Sequence, residues 1–153
     1  MKTTAIFPGS FDPFTIGHDD IARRALLIAD RLIIAVGVNA NKKYESDTEQ
    51  RVEAIASLYA DEPRVEVVAY EGLTTELARR MDAQFIVKGV RSVKDFEYER
   101  EQADINRLLT GVETILLTAK PQLSSISSSL VRELRHFDCD ITPFLPTPPN
   151  NDQ

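Results

Sequence analysis

Five short apolar runs, each followed by a segment with helical spacing or polar loop character, constrain the fold of this chain more than any other feature. Leu32 to Val38 is the most telling run. It is apolar throughout instead of alternating, the pattern of a strand buried on both faces. Thr3 to Phe7, Val65 to Tyr70, Phe85 to Lys88 and Glu113 to Leu117 read as four further strands. Between them, Ile21 to Asp30 has the period of a helix, with Ala22, Leu26 and Ala29 on one face and Ile21, Ala25 and Ile28 beside it. Ser46 and Glu49 have capping-box spacing ahead of a helix carrying Val52, Ile55 and Tyr59. Thr74 or Thr75 caps a short helix through Leu77, Ala78 and Met81. Phe96 to Leu109 forms the longest helix, and Ser127 or Ser128 caps the last one. Strands separated by helices require crossover connections. The expected fold is therefore α/β: a Rossmann-like, doubly wound, five-stranded parallel sheet in a single domain.

Ligands of such sheets sit beyond the C-terminal ends of the strands. The loops after Phe7, Val38, Tyr70, Lys88 and Leu117 are therefore the ones to search. A domain over residues 1–145 is expected. The tail at 146–153 is expected to be extended or disordered, because Pro143, Pro146, Pro148 and Pro149 are half of the chain's eight prolines.

Charge narrows the partners. The formal net charge is −6, and polynucleotide binding needs a basic face, so no nucleic-acid partner is expected. A few cations placed at strand ends can still hold a small anion. Cys139 is the one cysteine and reads as a free thiol. No apolar stretch in the first 20 residues reaches signal-peptide length and none later reaches a membrane span, so the cytoplasm is the expected location.

The loop after the first strand reads Pro8-Gly9-Ser10-Phe11-Asp12-Pro13-Phe14-Thr15-Ile16-Gly17-His18. Gly9 lets backbone approach a ligand, and Ser10 offers a hydroxyl. Gly17 and His18 fall at a helix start, where free N–H groups and the helix dipole favour phosphate. A serine-rich segment opening a helix, Ile126-Ser127-Ser128-Ser129-Leu130-Val131-Arg132, suits phosphate and adenine for the same reason. Lys42, Lys88 and Arg91 lie in strand-end loops of the same sheet. Glu97, Glu101 and Asp104 read as an exposed helix face, and His136 as a surface residue.

Together these blocks resemble a known family. Gly9-Ser10-Phe11-Asp12-Pro13 with Thr15-x-Gly17-His18 is similar to the first signature of the T/HxGH nucleotidyltransferases, and Ile126 to Arg132 to their second. Lys88-Gly89-Val90-Arg91-Ser92-Val93-Lys94-Asp95-Phe96-Glu97-Tyr98-Glu99, the Asn106-Arg107 pair and Lys42-Lys43 resemble phosphopantetheine adenylyltransferases in particular. The resemblance spans roughly residues 3 to 145. It implies transfer of the adenylyl group of ATP to 4'-phosphopantetheine, giving 3'-dephospho-coenzyme A and pyrophosphate, with Mg²⁺ arriving on ATP.

By that resemblance Ser10, His18 and Lys42 are catalytic. Ser10, Lys42, Thr74 and Lys88 contact phosphopantetheine. Ser10, Phe11, His18, Gly89, Val90, Arg91 and Glu99 bind ATP, together with Leu123, Ser124, Ser125, Ile126, Ser127, Ser128 and Ser129. No protein metal site is implied, and a homo-oligomer, a hexamer, is. Lys88 stands where many relatives carry arginine, and Leu123 where many carry an aromatic ring. Two alternatives remain. One is another nucleotidyltransferase, acting on nicotinate mononucleotide or glycerol phosphate, against which the Lys88–Glu99 run argues. The other is a nucleotide-binding regulator without catalysis, against which the joint presence of Ser10, His18, Lys42 and Arg91 argues.

Overall fold

The computed structural model describes residues 2–149. Its elements alternate as expected: β1 (Thr4–Gly9), α1 (Ile16–Ala25), β2 (Arg31–Gly37), α2 (Thr48–Leu58), β3 (Val65–Tyr70), α3 (Thr74–Arg80), β4 (Phe85–Val90), α4 (Val93–Thr110), β5 (Glu113–Thr118) and α5 (Ser128–His136). All strands are parallel, in the order β3-β2-β1-β4-β5. Each strand of the sheet's centre feeds both faces by simple alternation. Ala5, Phe7, Leu32, Ile34 and Val36 pack with Ile21, Ala22 and Ala25 of α1 and Ile55 and Leu58 of α2. Ile6, Ile33 and Ala35 face the other way, onto Leu77 and Ala78 of α3.

Strand pairing explains where a cleft opens. β1 and β2 stay in register from Thr4↔Arg31 to Gly9↔Val36. β1 and β4 pair only at Ala5↔Phe85 and Ile6↔Ile86. Beyond Ile6 they part, leaving a crevice at the point where the chain order reverses, as doubly wound sheets do.

Several boundaries differ from the sequence reading, each for a local reason. Helix α1 starts at Ile16, next to the Gly17-His18 start expected from the loop and five residues before the periodic run, because Thr15 and His18 form a reciprocal capping box. It ends at Ala25, and Leu26 to Ala29 form a turn in which Ala29 stays buried while Leu27 points to solvent. The cap of α2 is Asp47 with Gln50, one position beyond the expected Ser46–Glu49 pair. The Ser46 N–H is engaged by the Asp12 carboxylate instead. Helix α3 has Leu73 at its N-cap and no side-chain cap. The Thr74 hydroxyl bonds the Tyr70 hydroxyl at 2.9 Å, and Thr75 is buried. Ser92 caps α4, which starts at Val93, three residues before Phe96, and Ser127 caps α5. Of the proline-rich tail, Pro146 and Pro148 line a hollow with Phe14, Ile55 and Leu58. Residues 150–153 lie outside the described residues.

Candidate active site

The end of β1 builds the floor. After Gly9 the chain turns through Phe11, which has φ +50° and folds its ring back over the strand end. A Cβ on Gly9 would lie 2.7 Å from that ring, so only glycine fits beneath it. Phe7, Phe11 and Phe14 surround the His18 imidazole, with ring centroids 6.4, 5.1 and 5.4 Å from it. His18 sits in the first turn of α1. Its Nδ1 accepts the Thr15 backbone N–H at 2.9 Å. A ring nitrogen that accepts carries no proton, so in the neutral ring the proton is on Nε2. Burial among the aromatic rings, and then the charges of Arg91 and Lys88, push the pKa down to about 4. At neutral pH His18 is thus an uncharged N–H donor.

Four cations converge on the same space. Lys42, from the loop after β2, donates to Ser10 Oγ at 3.1 Å. Lys88 pairs with Glu99 at 3.5 Å and Arg91 with Asp95 at 3.5 Å. Arg132 of α5 donates to the Asp12 carbonyl at 2.6 Å and to Ser129 Oγ at 3.2 Å. The Arg91–Asp95 pair is part-exposed, and a pair of that kind stabilises by only about 0–1 kcal/mol, so an incoming phosphate can replace its carboxylate; the Lys88–Glu99 pair is more enclosed.

These groups line a cleft of about 340 Å³. Ser10, Phe11, His18, Lys42, Lys88, Gly89, Arg91, Glu99, Leu123, Ile126, Ser127, Ser128 and Ser129 all border it. The N-terminus of α5 faces the cleft through its three serines. Ser127 Oγ accepts the Leu130 N–H as a cap, and Ser128 Oγ donates to the Pro13 carbonyl at 2.7 Å. Three residues of the family pattern stand elsewhere. Val90 is buried, Ser124 turns back to the Pro121 carbonyl at 3.0 Å, and neither they nor Ser125 border the cleft. A second hollow, about 310 Å³, lies on the β2–β3 side and includes Thr74, Tyr70 and Asn39. The two hollows share Pro8, Gly9, Ser10, Lys42 and Lys88.

The sequence reading missed two buried polar residues behind this surface. Arg51, 3% exposed, donates to the Ser10 and Gly37 carbonyls and stacks 3.9 Å from the centre of the Tyr44 ring. It thereby ties the ends of β1 and β2 together. Its signal was an arginine beside Val52 on a face otherwise apolar. Asp12, 4% exposed, had no separate signal beyond its place in the glycine-rich block. Asp95, which also borders the cleft, was visible only as part of the Lys88–Glu99 block.

Residues 6–134 match the model of the cytidylyltransferase-like family. A phosphopantetheine adenylyltransferase of Phocaeicola vulgatus is 59% identical over 142 residues, 93% of this chain and 94% of that one. Another from Bacteroides fragilis is 54% identical over 93% and 95%. This chain belongs to the phosphopantetheine adenylyltransferase family. A more distant structural neighbour, a Vibrio parahaemolyticus protein described as a nicotinate-nucleotide adenylyltransferase, superposes with TM-score 0.69 at 19% identity, covering 96% of this chain and 95% of its own. At that distance the neighbour shows the shared fold. The glycine-serine block, Gly17-His18 and the serine loop of this chain meet at one crevice.

Proposed function

We propose that this enzyme joins the AMP moiety of ATP to 4'-phosphopantetheine, releasing pyrophosphate and forming 3'-dephospho-coenzyme A. The supporting observation is the pair of hollows that meet at Ser10, Lys42 and Lys88. A reaction between two phosphorylated substrates needs two compartments with a cationic seam between them.

The geometry supports the following roles. The nucleotide occupies the larger cleft, against the α5 serines, Gly89, Arg91 and Glu99. The acceptor occupies the smaller one, its phosphate on Lys42 and Ser10 and its chain toward Thr74. A phosphate oxygen of the acceptor attacks the α-phosphorus in line. The new P–O bond forms as the α–β bridging P–O bond breaks, and the electron pair leaves with pyrophosphate. The phosphomonoester is largely ionised at neutral pH, so no general base is required. His18 Nε2–H donates to an α-phosphate oxygen as the phosphorus becomes five-coordinate. The gain comes from positioning and from donors fixed before the reaction begins.

Magnesium enters with ATP as part of the substrate. Among the described residues no group of three or more His, Cys, Asp or Glu could hold a metal ion, and the cleft carboxylates Asp95 and Glu99 are engaged by Arg91 and Lys88. Mg²⁺ commonly keeps its waters and binds through phosphates, which suits that arrangement. The enzyme acts as a homo-oligomer, a hexamer in this reading. In support, α4 buries none of its residues within the chain and leaves Val93, Phe96, Ile105, Leu108 and Leu109 exposed. Its place is the cytoplasm. Among the described residues no helix is long and apolar enough to cross a membrane.

Pyrophosphate release from ATP, measured with and without 4'-phosphopantetheine, tests the reading. Release that depends on this acceptor, and not on nicotinate mononucleotide or glycerol 3-phosphate, is expected. ATP binding without turnover, or turnover with either rival acceptor instead, would overturn it.

A further inference from the structure

Asp12 is a carboxylate almost removed from solvent, 4% exposed, in the middle of the first loop. Both of its hydrogen-bond partners are backbone N–H groups of another loop. Glu45 N–H donates to Oδ2 at 2.8 Å and Ser46 N–H donates to Oδ1 at 3.2 Å. A buried carboxylate is costly unless its lone pairs are filled, and the ionised group accepts such bonds more strongly than a neutral one. Lys42 stands three residues before Glu45 in that same loop, and Ser10 two residues before Asp12 in its own. The Lys42–Ser10 contact at 3.1 Å therefore closes a small ring whose opposite side is Asp12. The peptide carbonyls of Asp12 and Pro13 meanwhile accept from Arg132 and Ser128 of α5, at 2.6 and 2.7 Å.

We infer that Asp12 is a positioning residue for the acceptor half of the site. Its carboxylate fixes the 39–46 loop so that the Lys42 ammonium stands over Ser10, where the acceptor phosphate must lie. The α5 side hangs on the carbonyls and on the exposed Arg135–Glu45 pair at 2.8 Å, none of which involves the Asp12 carboxylate, so changing the carboxylate alone acts first on the 39–46 loop. The kinetic part of this inference rests on the adenylyl-transfer reading. The structural part does not.

Asp12→Asn keeps the shape but replaces one acceptor oxygen by an NH₂ group that faces an N–H donor. Two measurements follow. Hydrogen exchange of the wild type and the variant should show the Glu45 and Ser46 amides exchanging at least about tenfold faster in the variant, the worth of one lost charge-assisted bond. Amides of β1 and α1 should be unchanged. Steady-state kinetics should show KM for 4'-phosphopantetheine raised by about tenfold, with ATP Kd by calorimetry within about twofold. A purely structural aspartate would lower the melting temperature while leaving that KM split absent. Should Asp12→Asn fail to fold, Ser46→Pro removes one of the two donors from a solvent-facing loop and is expected to act in the same direction with a smaller effect. Unchanged exchange at 45 and 46 overturns the inference whatever the acceptor proves to be. Faster exchange with an unmoved acceptor KM, or with acceptor and ATP affinities falling together, overturns the positioning role. A wild type that shows no acceptor-dependent turnover points instead to the reaction assignment, while the exchange result still decides whether Asp12 holds the loop.

Discussion

His18 makes the most demanding prediction, because its ionisation and its tautomer are both dictated by neighbours. The chain has two histidines, so His136→Gln leaves a protein whose only imidazole signals come from His18. In nitrogen-correlated NMR spectra of that protein at pH 7, the Nε2-protonated tautomer is expected, since Nδ1 accepts the Thr15 N–H at 2.9 Å. On titration the ring should stay neutral until about pH 4, against an ordinary 6.5. At about 1.4 kcal/mol per unit, that displacement corresponds to roughly 3 kcal/mol. The sign follows from proton counting. Between pH 6.5 and 4 the unfolded chain binds a proton at this site and the folded protein does not, so acidification favours unfolding. The contribution is fully present above pH 6.5 and is lost as pH falls toward 4. Urea unfolding should show stability dropping across this window by up to roughly 3 kcal/mol more than in a His18→Gln counterpart, which cancels the carboxylates common to both. ATP should raise the His18 pKa, because its phosphates offset Arg91 and Lys88, two of the three causes of the depression. An Nδ1-protonated ring, or a midpoint near 6.5 in the free enzyme, would refute this reasoning.

Three further outcomes are expected. Lys42→Ala should raise KM for the acceptor by about 10–100-fold, the worth of a charge-assisted contact, and KM for ATP far less; the opposite ordering in steady-state kinetics would reverse the assignment of the two compartments. Gly9→Ala places a methyl group 2.7 Å from the buried Phe11 ring and should destabilise the protein by about 1–3 kcal/mol in urea unfolding; an unaltered midpoint would mean the ring moves freely. Arg132→Ala removes the bonds to Asp12 and Ser129 and should weaken ATP binding by about tenfold in calorimetry; intact affinity would reduce Arg132 to a helix-end charge.

Strands and site differ in how they could be read from residues alone. The β2 run was legible because burial on both faces leaves no polar position, and the other strands stood out between loops. The strand-end logic then located Ser10, Lys42, Lys88 and Arg91, which the structure gathers at one crevice. Helix starts were less legible. The apolar period begins at Ile21, so the first turn of α1 was visible only through the Gly17-His18 pair, and its cap, an imidazole accepting the Thr15 N–H, matches no serine-glutamate pattern. The α2 cap moved by one residue because Asp12, 34 positions away, claims the Ser46 N–H. Arg51 and Asp12 escaped notice for a common reason. Each serves the site by holding backbone carbonyls or N–H groups of distant loops, and backbone partners leave no mark on the sequence.

In the proposed reaction the neutral His18 imidazole acts on the transition state and not on bound ATP. This role is tested most directly by His18→Ala, with kcat and the Kd for ATP measured on the same preparation. A kcat lowered by about 10²–10³ with ATP affinity changed by no more than about twofold is expected, as for loss of one fixed donor. Equal losses in both quantities would contradict it.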